Sequence, residues 1–190
     1  MMNKKKDIID FFSTRRSTSF KNLSTPIPKD EDLKFYLKIA SRSPDYGALE
    51  PWRFIILKKE KMYKIISKIE IVGNKEGIKN ELMERQKNIF LQSPLIIAVI
   101  FSPKLSVKVS RDEQLLSVGG VCLSLLNICH ASGWGANWLT GWTTKSKEFS
   151  KVVFDLDNVE SIAGYIHIGS VKEKSVERKR PNVEQLITWI

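Results

Sequence analysis

Apolar residues recur along this chain with two periods, and the places where one period gives way to the other outline its elements. Ile8, Ile9, Phe11 and Phe12 share one face of a helix over residues 7–14, which stops at Arg15-Arg16-Ser17. Pro26 and Pro28 mark an extended stretch. Lys29, Asp30, Glu31 and Asp32 then open a second helix whose acidic first turn suits the positive end of the helix dipole, with Leu33, Tyr36, Leu37 and Ala40 as its buried stripe. Residues 41–52 contain Pro44, Asp45, Gly47 and Pro51 and read as a loop of fixed shape that leads into a strand over 53–57. Helical spacing returns over 59–71 through Met62, Tyr63, Ile65, Ile66 and Ile69. A further helix is predicted over 76–91, with residues 73–77 separating the two.

After Pro94, seven consecutive apolar residues (95–101) read as a strand buried on both faces. Residues 111–132 are too many for a strand. Leu115, Leu116, Val118, Val121, Leu123, Leu125, Leu126 and Ile128 make this helix apolar nearly all round, so it belongs in the middle of the fold or of a dimer interface. Gly119 and Gly120 cost it about 1 kcal/mol each against alanine, which close approach of a backbone or a ligand would explain. Two more strands are predicted over 134–140 and 159–168, joined by a helix near 146–155 that Ser146 can cap. The basic tail is broken by Pro181 and ends in Val183, Leu186, Ile187, Trp189 and Ile190, which docking on another subunit would bury. Interleaved helices with about four strands and one long central helix give an α+β sheet covered by helices.

Composition narrows this picture. A length of 190 residues suits one domain, and 42% apolar with 27% charged residues is the balance of a chain that folds. The first ten residues lack the pattern of a signal peptide, so a cytoplasmic location is expected. The apolar run 115–131 is interrupted by Ser117, Gly119, Gly120, Ser124, Asn127 and His130 and falls short of the ~20 residues of a membrane span. Cys122 and Cys129 would lie roughly 10 Å apart along a helix axis, too far for a disulfide, and read as buried core residues without a zinc ligand set around them. A net charge of +10 invites a nucleic-acid or membrane-surface reading. The excess is spread over polar helix faces (Lys58, Lys59, Lys61, Lys64, Lys68) with no nucleic-acid module, so no nucleic-acid and no membrane partner is expected.

Three clusters can carry chemistry. Arg15-Arg16-Ser17, followed by Thr18 and Ser19, offers guanidiniums and hydroxyls to a phosphate, although cations also complement a helix C-terminus. Residues 41–54 (SRSPDYGALEPWRF) form a rigid loop before a strand, either a ligand-gripping segment or an ordinary connection. Residues 133–142 (GWGANWLTGW) combine glycines that let backbone N–H groups approach a flat ligand with tryptophan walls, or else simply pack as a bulky core strand.

In this order and spacing the clusters resemble the nitroreductase family, in its short single-domain bacterial branch. The resemblance runs from Arg15-Arg16-Ser17 through Pro51-Trp52-Arg53-Phe54 and Gly119-Gly120 to Arg178-Lys179-Arg180-Pro181. It implies a central, mostly antiparallel sheet of four to five strands flanked by helices, with residues 171–190 as an extended tail exchanged in a homodimer. It also implies FMN as cofactor and NAD(P)H as co-substrate. Arg15, Arg16 and Ser17 would grip the phosphate and ribityl chain, Arg42 and Tyr46 would meet the flavin ring, and Trp138, Leu139 and Thr140 would pass its reactive edge. Arg178 or Arg180 would reach the phosphate from the tail. Tyr46 stands where the branch often has His, Leu139 where it often has Arg, and Ser19 where some members have Lys near the pyrimidine end of the ring.

The implied reaction needs no protein nucleophile: NAD(P)H passes hydride to the flavin and a nitroaromatic, quinone or similar small acceptor removes it. Arg42 and Arg16 are candidates to stabilise negative charge on the reduced ring, while His130 and His167 read as structural. The same fold serves dehalogenases, azoline oxidases and ring-cleaving enzymes. A flavin-binding protein without turnover or a nucleic-acid-binding protein stands as the reading from another class.

Overall fold

The computed structural model describes residues 4–190, with side chains from Asp7 onward. Its elements follow the order α1 (Lys4–Thr14), a short 3-10 turn (Phe20–Asn22), β1 (Leu23–Ser24), α2 (Asp30–Ala40), β2 (Trp52–Lys58), α3 (Lys59–Lys75), α4 (Asn80–Gln92), β3 (Leu95–Phe101), α5 (Arg111–Ala131), β4 (Gly135–Leu139), α6 (Trp142–Lys145), α7 (Lys147–Phe154) and β5 (Ser161–Val171). A 3-10 turn over Val183–Leu186 lies in the tail. The fold is α+β. Every strand pair is antiparallel: β2 pairs β3, β3 pairs β5, and the other edge of β5 takes β4 and then β1.

The apolar run of β3 shows why a strand with no polar position folds as the centre of this sheet. Leu95, Ile97, Val99 and Phe101 point to one face, where α2 and α5 cover them; Ile96, Ala98 and Ile100 point to the other, beneath α3, α4 and α7. On β5 the same alternation sends Ile166 and Ile168 to the first core and Tyr165 to the second.

Helix α5 begins with a capping box in which Ser110 Oγ accepts from the N–H of Glu113 (3.2 Å) and the Glu113 carboxylate accepts from the N–H of Ser110 (2.8 Å). It covers nearly the span expected from sequence, and by length and composition its 21 residues could cross a bilayer. Val118, Val121, Cys122, Leu125, Leu126 and Cys129 nevertheless pack on the sheet as a core helix, while Leu116 and Leu123 stay exposed. Its burial is thus one-sided. Gly120 sits against Ser43, whose Oγ would lie 3.3 Å from an added Cβ, whereas Gly119 faces open space.

Differences from the sequence reading have local causes. Gly73 is inside α3 and does not separate two helices: the Met83 side chain lies over it, with Cγ 2.8 Å from where a Cβ would sit, so α3 and α4 approach closely. α4 accordingly starts at Asn80. Ser146 caps α7 as expected, accepting from the N–H of Phe149 at 2.9 Å.

Two buried groups contribute to the acid behaviour. Arg53 donates through Nε and Nη2 to Glu160, both at 2.7 Å, and this pairing pulls the Glu160 carboxyl down to about 2. Ser93 Oγ donates to the Ile89 carbonyl (2.8 Å), so at 2.6 Å it accepts from Nδ1–H of His167. Nε2 of His167 is then a buried atom without a partner, and burial lowers the imidazole to about 3. Both folded values lie below the ordinary ones, so the unfolded chain binds more protons as pH falls, below about 6.5 for the histidine and below about 4.5 for the glutamate. Stability therefore falls on acidification through these windows. His167→Gln should flatten the slope of unfolding free energy against pH between 6.5 and 4, which approaches about 1.4 kcal/mol per pH unit for one proton. Denaturant titrations at several pH values check this, and an unchanged slope would refute it.

Candidate functional site

The end of α1 delivers Arg15, whose N–H still donates to the Phe11 carbonyl (2.8 Å). The chain then leaves the helix and is tied to β4 through Thr18 N–H and the Ala136 carbonyl (2.9 Å). The tail returns over the same segment: Ser175 Oγ donates to the Ser17 carbonyl (2.9 Å), Arg16 Nε donates to the Val176 carbonyl (3.2 Å), and Lys172 N–H donates to the Asn22 carbonyl (2.9 Å). Residues from the two ends of the sequence are thereby stitched together.

Between them lies a cleft of about 640 Å3 in which Arg15, Arg16, Ser17, Lys174, Arg178 and Arg180 all take part. Arg15 carries the clearest electrostatic signature. Burial, and then the like charges of Arg180, Arg16 and Arg178, push its guanidinium below the ordinary value, and its Nη1 is buried without a hydrogen-bond partner. Arg180 is partly compensated by Glu177 at 2.8 Å. Crowded guanidiniums with an orphaned buried donor form a site that an anion with several acceptor oxygens, such as a phosphate, completes.

A narrower cleft of about 190 Å3 adjoins it, with Phe20 and Leu139 lining both. Thr140, Gly141 and Trp142 wall one side and Leu82, Arg85 and Ile89 of α4 the other. Buried Gln86 lies over Gly141, its Oε1 2.6 Å from where a Cβ would stand, so any larger residue there would have to displace the end of that side chain. An elongated groove, basic at one end and at the other walled largely by apolar residues with Arg85 as its one charge, has the chemistry to take a flat ring joined to a phosphate.

The remaining site residues of the sequence reading lie elsewhere. Arg42 lines a third, apolar cavity of about 540 Å3 with Ile8, Phe11, Phe12 and Ile128. Tyr46 is 68% exposed on the 41–51 loop, lining none of the three cavities described here. That loop is rigid for a visible reason: Gly47, Ala48 and Glu50 have positive φ, and the Asp45 carboxylate accepts from the N–H of Glu50 at 2.7 Å. Trp138 turns its ring over Gly164, while the next two residues, Leu139 and Thr140, line the groove.

His130 sits close enough to Arg15 to feel it. Burial, then the charge of Arg15, hold its imidazole below the ordinary value. Both cysteines are buried and their thiols pushed up to about 12, so neither is a nucleophile at neutral pH. No cluster of metal-binding side chains occurs among the described residues. The sequence reading missed Arg85, Gln86 and Lys174, which look like solvated surface on a charged helix and a basic tail, and Phe20, which stands in a short turn without periodicity.

A family model described as Nitroreductase family matches residues 13–170. The chain is 27% identical over 169 residues to an Escherichia coli (strain K12) protein named "Putative NAD(P)H nitroreductase YdjA", covering 89% of this chain and 91% of that one. Among solved structures, a nitroreductase-like family protein from Bacillus cereus superposes with a TM-score of 0.80 at 20% identity, covering 96% and 95% of the two chains. A nitroreductase with bound FMN from Bacteroides fragilis gives 0.73 at 14% identity, covering 97% and 98%.

Proposed function

This chain belongs to the nitroreductase family, and we propose from that premise that it is an FMN-dependent oxidoreductase that takes electrons from NAD(P)H and passes them to a nitroaromatic, quinone or similar small acceptor. The observation that carries the reading is the buried, unpartnered Nη1 of Arg15 in a cleft where guanidiniums from both ends of the chain converge. Arg15, Arg16, Ser17, Arg178 and Arg180 would hold the phosphate. The main chain at Leu139 and Thr140 would run along the ring, with Trp138 fixing that strand end from behind. Bound FMN would supply the redox chemistry, the carriage of electrons between nicotinamide and acceptor, while these residues hold and orient it.

A homodimer, active in the cytoplasm, completes the proposal. Ile8, Phe12, Leu116, Leu123, Trp189 and Ile190 are exposed apolar side chains on α1, α5 and the tail, more than scattered surface hydrophobics account for. Pairing of α5 faces and docking of residues 171–190 on a second copy would cover them. Arg42 and Tyr46, remote from this chain's own groove, would then be presented to the groove of the second copy.

The test is direct. Purified protein should be yellow or become so with added FMN, release FMN on denaturation, oxidise NADH or NADPH with a nitroaromatic or quinone acceptor, and sediment as a dimer. Protein that takes up no FMN at excess would end this reading; yellow protein without turnover would reduce it to a flavin-binding role.

A further inference from the structure

The narrower cleft contains a cation that none of the preceding assignments uses. Arg85 lines it together with Phe20, Leu139, Thr140 and Trp142, and is its one charged wall residue. The neighbouring cation on α4, Lys87, is neutralised by Glu84 (2.8 Å) and Glu70 (3.3 Å), whereas Arg85 has no carboxylate partner among the described residues.

Its backbone is held in place from two directions. On one side Met83 packs over Gly73 of α3; on the other, Gln86 is buried against Gly141. α4 is thereby locked beside residues 139–142, and Arg85 is carried at the mouth of the cleft these residues wall.

The geometry points to Arg85 as the charge-compensating residue of the ring cleft, stabilising the negative charge that reduction places there. This rests on the FMN reading above. NAD(P)H gives up a hydride, two electrons with one proton, and departs as NAD(P)+; the cleft then holds one negative charge more than before. Arg85 is exposed, and a guanidinium on the wall of the cleft, even one in contact with water, binds the reduced state more tightly than the oxidised one and so raises the reduction potential. Arg16 faces the phosphate end and the tail carbonyl of Val176, and Arg42 lines another cavity of its own chain, so that it would meet a groove only as a contribution from the second copy, whereas Arg85 belongs to the cleft of its own chain.

The experiment compares wild type, Arg85→Gln and Arg85→Lys, each loaded with FMN. Oxidised FMN affinity and midpoint potential are measured, with thermal melting as a check on folding. Arg85→Gln should bind oxidised FMN within about threefold of wild type and reduced FMN about tenfold more weakly, which for a two-electron couple is a potential about 30 mV more negative. Arg85→Lys should restore most of the shift. An Arg85→Gln protein that binds oxidised FMN normally with an unchanged potential overturns the proposal alone, as does an equal loss of affinity for both redox states. A wild type that takes up no FMN overturns the underlying reading and this proposal with it.

Discussion

Arg15→Ala should weaken FMN binding by about ten- to a hundredfold while leaving the apoprotein as stable as wild type or slightly more so. The two effects have opposite signs because one feature causes both. Without a ligand, Arg15 holds a partly desolvated charge next to Arg16, Arg178 and Arg180, with Nη1 buried and unpaired. Deleting it relieves repulsion and removes an unsatisfied donor, so little stability is lost. With a phosphate present, the same guanidinium makes a charge-assisted bond worth about 1.5–3 kcal/mol, and each 1.4 kcal/mol is about tenfold in affinity. Calorimetric titration with FMN and melting of the apoprotein measure the two arms separately. An unchanged affinity would remove Arg15 from the site; a large fall in apoprotein melting temperature would make its role structural. Arg178→Ala should act in the same direction but less strongly, since Arg178 is exposed and water screens its charge.

How much of this was legible beforehand follows from the range over which each signal acts. Seven apolar residues in a row after Pro94 are too few for a typical buried helix and suit a strand covered on both faces, so β3 was readable. The 111–132 helix was readable from its length, but not which side the sheet would cover, because Leu116 and Leu125 look alike in sequence and differ only in what packs on them. β1 was invisible: two residues carry no period, and Leu23–Ser24 is a strand only because β5 runs beside it. In the site, Arg15, Arg16 and the tail arginines stood out as adjacent cations flanking structured segments. Arg85 and Gln86 did not, because they lie on a charged helix whose polar residues have the spacing of an ordinary solvated face. Arg53 is the reverse case, a motif residue that the structure explains through its ion pair with Glu160. The groove is assembled by tertiary contacts between segments more than a hundred residues apart, and no local pattern encodes which cations will share a wall.

The groove's dependence on such contacts leads to the other large effect, Gly169→Ala. Gly169 pairs with Gly135 across β5 and β4, and the chain from Thr18 to Ser24 passes directly over this glycine pair. A Cβ on Gly169 would come within 2.6 Å of the Ser24 carbonyl oxygen, 2.7 Å of Pro94 Cγ and 3.2 Å of the Ser24 nitrogen. Two of these are backbone atoms, which cannot swing aside as a side-chain end can, so β1 must lift away from β5. It is held by the Leu23↔Val171 and Ser24↔Ser170 pairs, by Lys172 N–H to the Asn22 carbonyl (2.9 Å), by Ser170 N–H and Oγ to the Pro26 carbonyl (3.2 and 2.8 Å) and by Ser24 Oγ to the Ser170 carbonyl (3.3 Å). Overpacking typically costs about 1–3 kcal/mol, and with backbone as the obstacle the upper end, about 3 kcal/mol, is expected. Because residues 17–22 hang from β1, the same methyl group should displace Ser17 and Phe20 and weaken FMN binding, although it touches neither cleft. Excess FMN should then recover part of the lost melting temperature by mass action, since only the native arrangement binds it. Unfolding by denaturant gives the stability arm and FMN titration the affinity arm. Wild-type stability in Gly169→Ala would show that β1 yields without cost, and wild-type FMN affinity in a destabilised protein would show that the phosphate segment is held by the tail and β4 alone.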